Sequence, residues 1–387
     1  MRKDFLIFGS PLIEKDEIKE VVSTMRSGWL GTGPRASRFE QLFGGYKGSK
    51  HALALNSCTA ALHLSILALG LKRGDEVITT AMTFCATVNS IIHAGAKPVI
   101  VDCQRDTMNI DPREIEKMIT KKTKAILPVH FAGRPCDMAQ IMKIAKKHGL
   151  KVIEDCAHAI ESEYHGKKAG RIGDIGCFSF YVTKNIVTGE GGMAITDNEK
   201  YADRIKVLSL HGMSKDAWKR FGDKGFKHYQ VVSAGFKYNM MDLQAAIGIH
   251  QIKRVEKYWE KRQRIWNKYD KAFAGLLCST PLKQEKGTKH AYHLYTLLLD
   301  TERLDITRDE FLDELTKRNI GAGVHYLSIN MHPYYQKALG LKLDDFPNAE
   351  YIAKRTISLP LSPKLNEKDT DDVIEAVTEI LKQHKRK

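Results

Sequence analysis

The sequence predicts an α/β fold built on a mostly parallel sheet. Between about residues 50 and 200, short apolar segments with strand character alternate with segments of helical periodicity. Strands separated by helices indicate a parallel sheet that is covered on both faces. The last two strands have no helix between them, so we expect a mixed sheet. The seven strand segments are HALALN (51–56), DEVITT (75–80), KPVIVD (97–102), TKAILPV (123–129), LKVIED (150–155), IGCFSFY (175–181) and GGMAITD (191–197).

The C-terminal third has a different pattern, and 387 residues are enough for two domains. Residues 241–275 hold an unusually long helical pattern, which predicts one long helix or two in series. We expect a large α/β domain with an N-terminal arm at residues 1–250, and a linking helix with a smaller α+β domain at residues 251–387. After Pro281 the pattern indicates strand-like pieces (AYHLYTLLLD), a helix (TRDEFLDELTKRN), an irregular stretch (GVHYLSINMHPYYQKALG) and a final helix (DTDDVIEAVTEILKQH).

Composition argues against several classes of protein. No apolar run reaches the ~18 residues that a membrane helix needs. Acidic residues follow the short apolar patch at the N-terminus and no cleavage site is evident, so we expect a cytoplasmic protein without a signal peptide. Seven cysteines without CxxC spacing argue against a disulfide framework and against a metal site.

The formal net charge of +15 leaves two interpretations open. Dispersed positive charge suits an anionic small substrate. A non-catalytic regulator or DNA-binding protein is the alternative, but no helix-turn-helix and no basic patch with aromatic residues supports it. We therefore expect neither a nucleic acid nor a membrane as partner.

Polar residues at the carboxyl ends of the strands are the first candidates for a site, because ligands bind at that edge of an open α/β sheet. Residues 57–59 (Ser-Cys-Thr) open a helix, where free N–H groups favour a phosphate, although simple helix capping is the plainer explanation. Asp155 ends a strand. A buried acid there needs a partner, which could be a protonated pyridine nitrogen or a structural hydrogen bond.

A lysine and an aromatic residue complete the pattern. Lys184 follows Ser179 and precedes a glycine-rich turn at residues 189–192. A desolvated lysine amine can attack an aldehyde, although most single lysines are solvated surface residues. Phe84 could stack on a planar cofactor or pack in the core. The order of phosphate-type turn, aromatic ring, strand-end acid, serine and lysine predicts a site for pyridoxal phosphate (PLP).

These motifs resemble the DegT/DnrJ-type sugar aminotransferases, a branch of the fold-type I PLP-dependent transferases. The resemblance covers nearly the whole chain and implies that Lys184 holds the cofactor as a Schiff base and moves the reacting proton. It also implies that Asp155 pairs with the pyridine nitrogen. The segments that carry it include NSCTAALHL, TTAMTFCATVNSI, VIEDCAHAI, FSFYVTKN, GEGGMAITD and GFKYNMMDLQAAIG.

The resemblance implies further cofactor contacts. His158 matches a position near the hydroxyl face of the cofactor, and Phe84 matches the stacking position. The phosphate-binding positions are Thr59, Ala60 and Ser179. In the family the segments SGWLGTGP and VHYLSINMHPYY border the sugar nucleotide, which makes Thr32 and His325 the candidates for substrate binding.

The resemblance also implies a homodimer with shared active sites. In the family the segment GFKYNM contributes to the cofactor phosphate of the neighbouring subunit. Many members read GYNYRM, so Lys237 takes the place of their Asn, while Asn239 lies two residues later. Which of these two residues contacts the phosphate is left open at this stage.

The sequence KYN at residues 237–239 and His158 in the segment EDCAHA resemble one subgroup of the family. This subgroup aminates C4 of UDP-linked sugars and includes the 4-amino-arabinose transaminases. A few relatives are dehydratases with histidine at the lysine position, so Lys184 favours transamination. The expected reaction is amino transfer from glutamate to a 4-keto sugar nucleotide in polysaccharide biosynthesis. Transamination of a keto-cyclitol or a 3-keto sugar is the alternative.

Overall fold

The computed structural model of the chain describes residues 2–214 and 229–386. Three sheets account for its strands. The strands are β1 (His51–Leu55), β2 (Glu76–Thr80), β3 (Lys97–Val101), β4 (Thr123–Leu127), β5 (Lys151–Asp155), β6 (Glu163–Tyr164), β7 (Lys167–Lys168), β8 (Ile175–Ser179), β9 (Gly192–Thr196), β10 (Cys278–Ser279), β11 (Thr288–Lys289), β12 (Tyr295–Leu299) and β13 (Thr356–Leu359).

The central sheet has seven strands in the order β1-β9-β8-β5-β4-β2-β3. The five strands from β8 to β3 run parallel. β9 is antiparallel to both of its neighbours, β8 and β1, because no helix connects β8 to β9. The prediction of a mostly parallel, mixed sheet is therefore confirmed, and every predicted strand segment contains one of its strands.

Helices cover the sheet and build the C-terminal region. They are α1 (Lys15–Ser27), α2 (Pro34–Lys47), α3 (Cys58–Ala68), α4 (Cys85–His93), α5 (Pro112–Lys117), α6 (Met138–His148), α7 (Glu199–Ser209), α8 (Asp242–Lys253), α9 (Val255–Phe273), α10 (Arg308–Lys317), α11 (Pro333–Leu339), α12 (Pro347–Ala353) and α13 (Glu367–Gln383).

The long helical pattern at residues 241–275 forms two helices in series, α8 and α9, which meet at Arg254. The stretch predicted to be irregular contains the short helix α11. Pro333 begins this helix, and Gly340 ends it with a left-handed backbone (φ 69°). Proline at the first position and glycine just past the last are the usual boundaries of a helix, so this stretch carried a helix signal that the prediction missed.

The C-terminal region has its own three-stranded sheet, β10-β12-β13, with α9, α10 and α13 packed against it. Its core includes Tyr269, Phe273, Tyr295, Phe311 and Leu359, all fully buried. A second apolar cluster joins residues 81–132 of the large sheet region to residues 294–353. This packing places the segment around residue 325 over the carboxyl edge of the large sheet. The proposed domain boundary near residue 250 stays a prediction.

Gly191 and Gly192 allow close packing at the start of β9, and Gly192 meets the turn that precedes α3. A Cβ on Gly192 would lie 2.3 Å from the backbone carbonyl carbon of Ser57, and one on Gly191 would lie 2.2 Å from Oγ1 of Thr188. Any larger residue at either position would have to displace backbone or a buried side chain. The glycine-rich turn is therefore needed for close packing beside the start of α3.

Within residues 2–214 and 229–386, none of the helices combines the length and the apolar character needed to cross a membrane.

Candidate active site

A cavity of about 460 Å³ lies at the carboxyl edge of the central sheet, where α/β proteins bind ligands. It collects residues from β5, β8, the starts of α3 and α4, the turn before β9 and the C-terminal region. Seven of the predicted site residues line it: Thr59, Phe84, Asp155, His158, Ser179, Lys184 and His325. Residues far apart in sequence therefore lie together in one cavity.

Lys184 brings an uncommitted amine into this cavity. Burial lowers the pKa of Lys184 to about 8, with smaller opposing effects from Cys58 and Asp155. Within the described residues its side-chain nitrogen forms no ion pair and no hydrogen bond. The amine is therefore partly neutral near physiological pH, which is the form that acts as a nucleophile.

Asp155 ends β5 and is buried. One carboxylate oxygen accepts a hydrogen bond from the Ala157 N–H (3.0 Å), and the other accepts one from Oγ1 of Thr87 (2.9 Å). Burial raises the pKa of Asp155, while these hydrogen bonds and Lys184 act against that rise. A cationic ring nitrogen in the cavity would be a suitable partner for this carboxylate.

The hydrogen bonds of His158 define its tautomer. Nδ1 accepts from the Ala132 N–H (3.2 Å), and burial lowers the pKa of His158 well below its usual range. The ring is therefore neutral, and Nε2 carries the proton and donates it to Oη of Tyr326 at 3.0 Å. The Tyr326 hydroxyl keeps its own proton available for a ligand in the cavity.

The start of α3 lies at the phosphate end of the predicted site. Ser57 caps the helix by accepting from the Ala60 N–H (3.1 Å). Ala60 does not line the cavity, whereas Ser57, Cys58 and Thr59 do. The helix dipole and the first-turn N–H groups favour an anion here.

Phe84 lies at the start of α4 and keeps 56% of its surface exposed. Its ring centroid lies 5.7 Å from that of Tyr326. A phenyl ring so exposed on a cavity wall offers a face for a planar ligand. His325 lies beside these rings and forms a 2.8 Å hydrogen bond between Nδ1 and Oγ of Ser358. Burial lowers the pKa of His325 to about 3, so it is neutral as well.

Four predicted residues, Ala60 among them, lie outside the cavity of their own chain. Thr32 donates to the Met240 carbonyl and accepts from the amide of Asn239. Lys237 is exposed, and its backbone carbonyl accepts a hydrogen bond from Asn56. Thr32 and Asn239, which were predicted in separate roles, are therefore direct neighbours on the same surface.

One group of buried side chains has the composition of a metal site. His130, Glu154 and Cys156 place their ligand atoms within 4.8 Å of one another. However, Nε2 of His130 bonds Glu154 (2.9 Å) and Nδ1 accepts from the Cys136 N–H (3.0 Å). The Glu154 carboxylate also accepts three backbone N–H groups between residues 170 and 173. Both ring nitrogens of His130 and both carboxylate oxygens of Glu154 are therefore already used in hydrogen bonds that stabilise the fold.

Comparisons with known proteins assign the family. The model of the DegT/DnrJ/EryC1/StrS aminotransferase family matches residues 11–378. The chain belongs to this family. It is 50% identical over 385 residues, and 98% of either chain, to the spore coat polysaccharide biosynthesis protein SpsC of Bacillus subtilis.

Solved structures agree with this assignment. The PLP form of Spr1654 from Streptococcus pneumoniae, described as a sugar aminotransferase, is 33% identical with a TM-score of 0.90, over 98% of this chain and 99% of that one. Helicobacter pylori PseC, an aminotransferase involved in pseudoaminic acid biosynthesis, is 31% identical with a TM-score of 0.90, over 98% and 100%. The predicted fold class, the aminotransferase activity and the PLP cofactor are confirmed.

The residues of this family member fit PLP. Its cavity combines an uncommitted lysine amine, a buried carboxylate, an exposed aromatic face and a helix N-terminus. An aldehyde, a pyridine nitrogen, a planar ring and a phosphate require these four features. The role of each residue toward the cofactor stays a prediction.

Sequence reasoning missed two of the site residues. Thr87 supports Asp155, and Tyr326 extends from His158 toward the cavity. Thr83 and Thr87 both line the cavity, and their hydroxyl oxygens lie 2.7 Å apart. Tyr326 directly follows the predicted His325, but its hydrogen bond spans 168 residues of sequence, which no local pattern reveals.

We predict that Lys184→Ala and Lys184→Arg both lose the visible absorbance of covalently bound cofactor and lose turnover. Alanine lacks the amine, and a guanidinium stays protonated. In the unaltered protein, cofactor uptake followed by absorbance should accelerate as the pH rises through about 8, where the Lys184 amine loses its proton. Retained turnover in either variant would refute the assignment.

A matched control for this experiment is Lys47→Met. Burial also lowers the pKa of Lys47 to about 8. Its amine instead donates to the Ile160 carbonyl (2.9 Å) and lies outside the cavity. This variant should retain the cofactor absorbance, which separates the position of Lys184 from the general effect of burying a lysine.

We predict that Asp155→Asn still binds PLP but lowers kcat by roughly a hundredfold or more, about 2.7 kcal/mol in barrier. The amide cannot hold a proton on the ring nitrogen as a carboxylate does. Thr87→Val should cause a smaller loss, because it removes only one of the two hydrogen bonds to Asp155. Steady-state kinetics with measured cofactor content test both, and an unchanged kcat in Asp155→Asn would make this acid merely structural.

Proposed function

We propose that this enzyme transfers the amino group of glutamate to a 4-keto sugar linked to UDP, for use in polysaccharide biosynthesis. The family assignment supports amino transfer to a sugar. The 50% identity to a spore coat polysaccharide biosynthesis protein and the likeness to PseC support the sugar class and the pathway type. The segments KYN and EDCAHA support the C4 position and the UDP carrier through their resemblance to that subgroup.

The observation that carries the proposal is the uncommitted Lys184 amine in a cavity with hydroxyl and aromatic walls. The lining also includes the hydroxyl-bearing residues Thr83, Tyr181, Thr183 and Tyr326. Among the described residues that line the cavity, Lys184 is the sole lysine and there is no arginine. Such a lining suits sugar hydroxyls, which need neutral hydrogen-bonding groups and apolar faces.

The residues that line the cavity have separate roles in this proposal. Bound PLP would supply an electron sink for the carbanion that forms at the reacting carbon. Lys184 would hold the cofactor and carry a proton to and from the reacting carbon. The Asp155 carboxylate would keep the ring nitrogen protonated, and the Phe84 ring would orient the cofactor plane. The neutral His158 would orient the Tyr326 hydroxyl toward the ligand.

A second copy of the chain would complete the site. A cavity whose described lining has one cationic residue must still accommodate a cofactor phosphate, a nucleotide diphosphate and the donor carboxylates. Lys237 is the better candidate to enter from a partner, since it is exposed, whereas the Asn239 amide already donates to Thr32. We therefore propose that Lys237 supplies the contact across the interface.

An exposed apolar surface supports this dimer. On α1, Ile18, Val22 and Met25 are 57%, 40% and 62% exposed and recur at helical spacing. Trp29, Leu30 and Met241 extend the surface toward Thr32 and Asn239. Apolar residues grouped in this way commonly mark an interface between subunits.

The substrate is tested by incubating the holoenzyme with glutamate and UDP-, GDP- or dTDP-linked keto sugars, with mass spectrometry as the readout. We expect amination of a UDP-linked 4-keto sugar and release of 2-oxoglutarate. Product from a 3-keto sugar or a keto-cyclitol alone would contradict the proposed substrate while leaving the enzyme class intact. Lys184→Ala is the control that should give no product.

The shared active site is tested with mixed dimers. Lys184→Ala and a variant with Lys237 and Asn239 both changed to Ala should each be nearly inactive as homodimers. After joint unfolding and refolding, roughly half of the dimers are mixed, and each mixed dimer has one intact site. Activity should recover to about a quarter of that of the unaltered enzyme. No recovery, or an active double variant, would contradict the interface assignment.

A further inference from the structure

A line of buried polar groups lies directly behind Lys184. It begins at Asn185, the next residue, which is 8% exposed. Nδ2 of Asn185 donates to Oε2 of Glu161 (2.7 Å) and to the Ala291 carbonyl (3.0 Å). Both partners are acceptors, so the orientation of the amide is determined. Oδ1 of Asn185 must then accept from Nδ1 of His293, at 2.9 Å.

An ion pair anchors one end of this line. Glu161 is fully buried and Arg262 is 1% exposed, and Oε1 of Glu161 pairs with Nη2 of Arg262. Each Glu161 oxygen therefore has one partner, Arg262 or Asn185. Removing one partner of such a pair leaves a buried charge uncompensated, which makes the arrangement resistant to rearrangement. Arg262, Asn185 and Lys184 also line the same small cavity of about 20 Å³.

The other end of the line reaches the ligand side of the active site. The ring centroids of His293 and His158 lie 4.5 Å apart, and His158 bonds Tyr326. Burial lowers the pKa of His293 well below its usual range, with Lys184 adding to the effect. His293 is therefore neutral, with its proton on Nδ1 toward Asn185. One connected network thus runs from Arg262 to Tyr326 and passes through the residue next to Lys184.

We propose that Asn185, anchored by the buried Arg262–Glu161 ion pair, is a positioning residue that fixes the direction in which the Lys184 amine enters the cavity. Lys184 itself donates its backbone N–H to the Tyr181 carbonyl (2.8 Å), and the Thr188 N–H closes the surrounding turn by bonding the Phe180 carbonyl (2.8 Å). The three side-chain bonds of Asn185 hold the next residue of the backbone. This inference rests on the proposed role of Lys184.

The test compares Asn185→Ala and Asn185→Asp with the unaltered protein. Alanine removes all three bonds. Aspartate keeps the size and the acceptor for His293 but places an oxygen against Oε2 of Glu161. If Asn185 acts through hydrogen bonding, both variants should lower kcat on the order of tenfold while KM for the keto sugar stays within about twofold, as expected when orientation is lost.

A second readout needs no cofactor. The rate at which an amine-reactive probe labels Lys184 in the cofactor-free protein, followed by mass spectrometry, should have its midpoint near pH 8 in the unaltered protein. Once its position is no longer fixed, the amine samples better-hydrated positions. Its midpoint should then move upward by about one pH unit or more, toward that of an exposed lysine.

Asn330→Ala is the matched control. Nδ2 of Asn330 also donates to a buried glutamate, Glu350 (2.7 Å), and to a backbone carbonyl, that of Lys342 (2.8 Å). Asn330 is fully buried and lies outside the cavity lining. This variant should lose stability as Asn185→Ala does, while its labelling midpoint and kcat stay unchanged.

The proposal is overturned if Asn185→Ala has the kcat and labelling midpoint of Asn330→Ala. It is also overturned if Asn185→Asp behaves as the unaltered protein, since the packing of a side chain of this size would then explain the role of Asn185. Should Asn185→Ala fail to fold, Asn185→Ser is measured in its place, and failure of all three to fold would make Asn185 a folding residue instead. Retained cofactor absorbance in Lys184→Ala would instead refute the assignment of Lys184, so the two failures are distinguishable.

Discussion

The proposed active site depends on holding one lysine amine in a buried cavity, with no ion-pair partner among the described residues. Burial favours the neutral form of Lys184, and burial together with Lys184 lowers the pKa values of His158 and His325. Asp155 is the buried acid that we propose for stabilising a positive ring nitrogen. Its carboxylate is occupied by Thr87 and a backbone N–H rather than by a cation of the protein, so it remains available to a charged ligand.

The sheet topology makes this arrangement possible. β5 and β8 are parallel neighbours, so Asp155 and Ser179, the last residues of these strands, end at the same edge. The antiparallel β9 then returns past the start of α3, and only glycine fits where its backbone meets Ser57. The glycine-rich turn thus brings the lysine segment and the phosphate end of the site together, which explains the spacing of these motifs.

Much of this could be predicted from the sequence, because the signals were local. Apolar runs predicted all seven strands, and strand-end positions predicted Asp155, Ser179 and Lys184. The contacts between distant segments could not be predicted in the same way. Tyr326 reaches His158, and Asn185 reaches Glu161 and His293, only because the C-terminal region packs on the sheet edge. The α11 helix was missed although its signal was local, since Pro333 and Gly340 mark its boundaries.

The position of Thr32 changes how the substrate side of the site is understood. Its hydroxyl accepts from Asn239 and donates to the Met240 carbonyl, while the N–H of Asp242 bonds the Gly31 carbonyl. The segment before α2 and the segment that carries Lys237 are therefore one hydrogen-bonded surface. If that surface faces the cavity of a partner, a substitution at Thr32 disturbs Asn239 as well. Substrate binding and cofactor binding across the interface would then be coupled, because one rigid surface serves both.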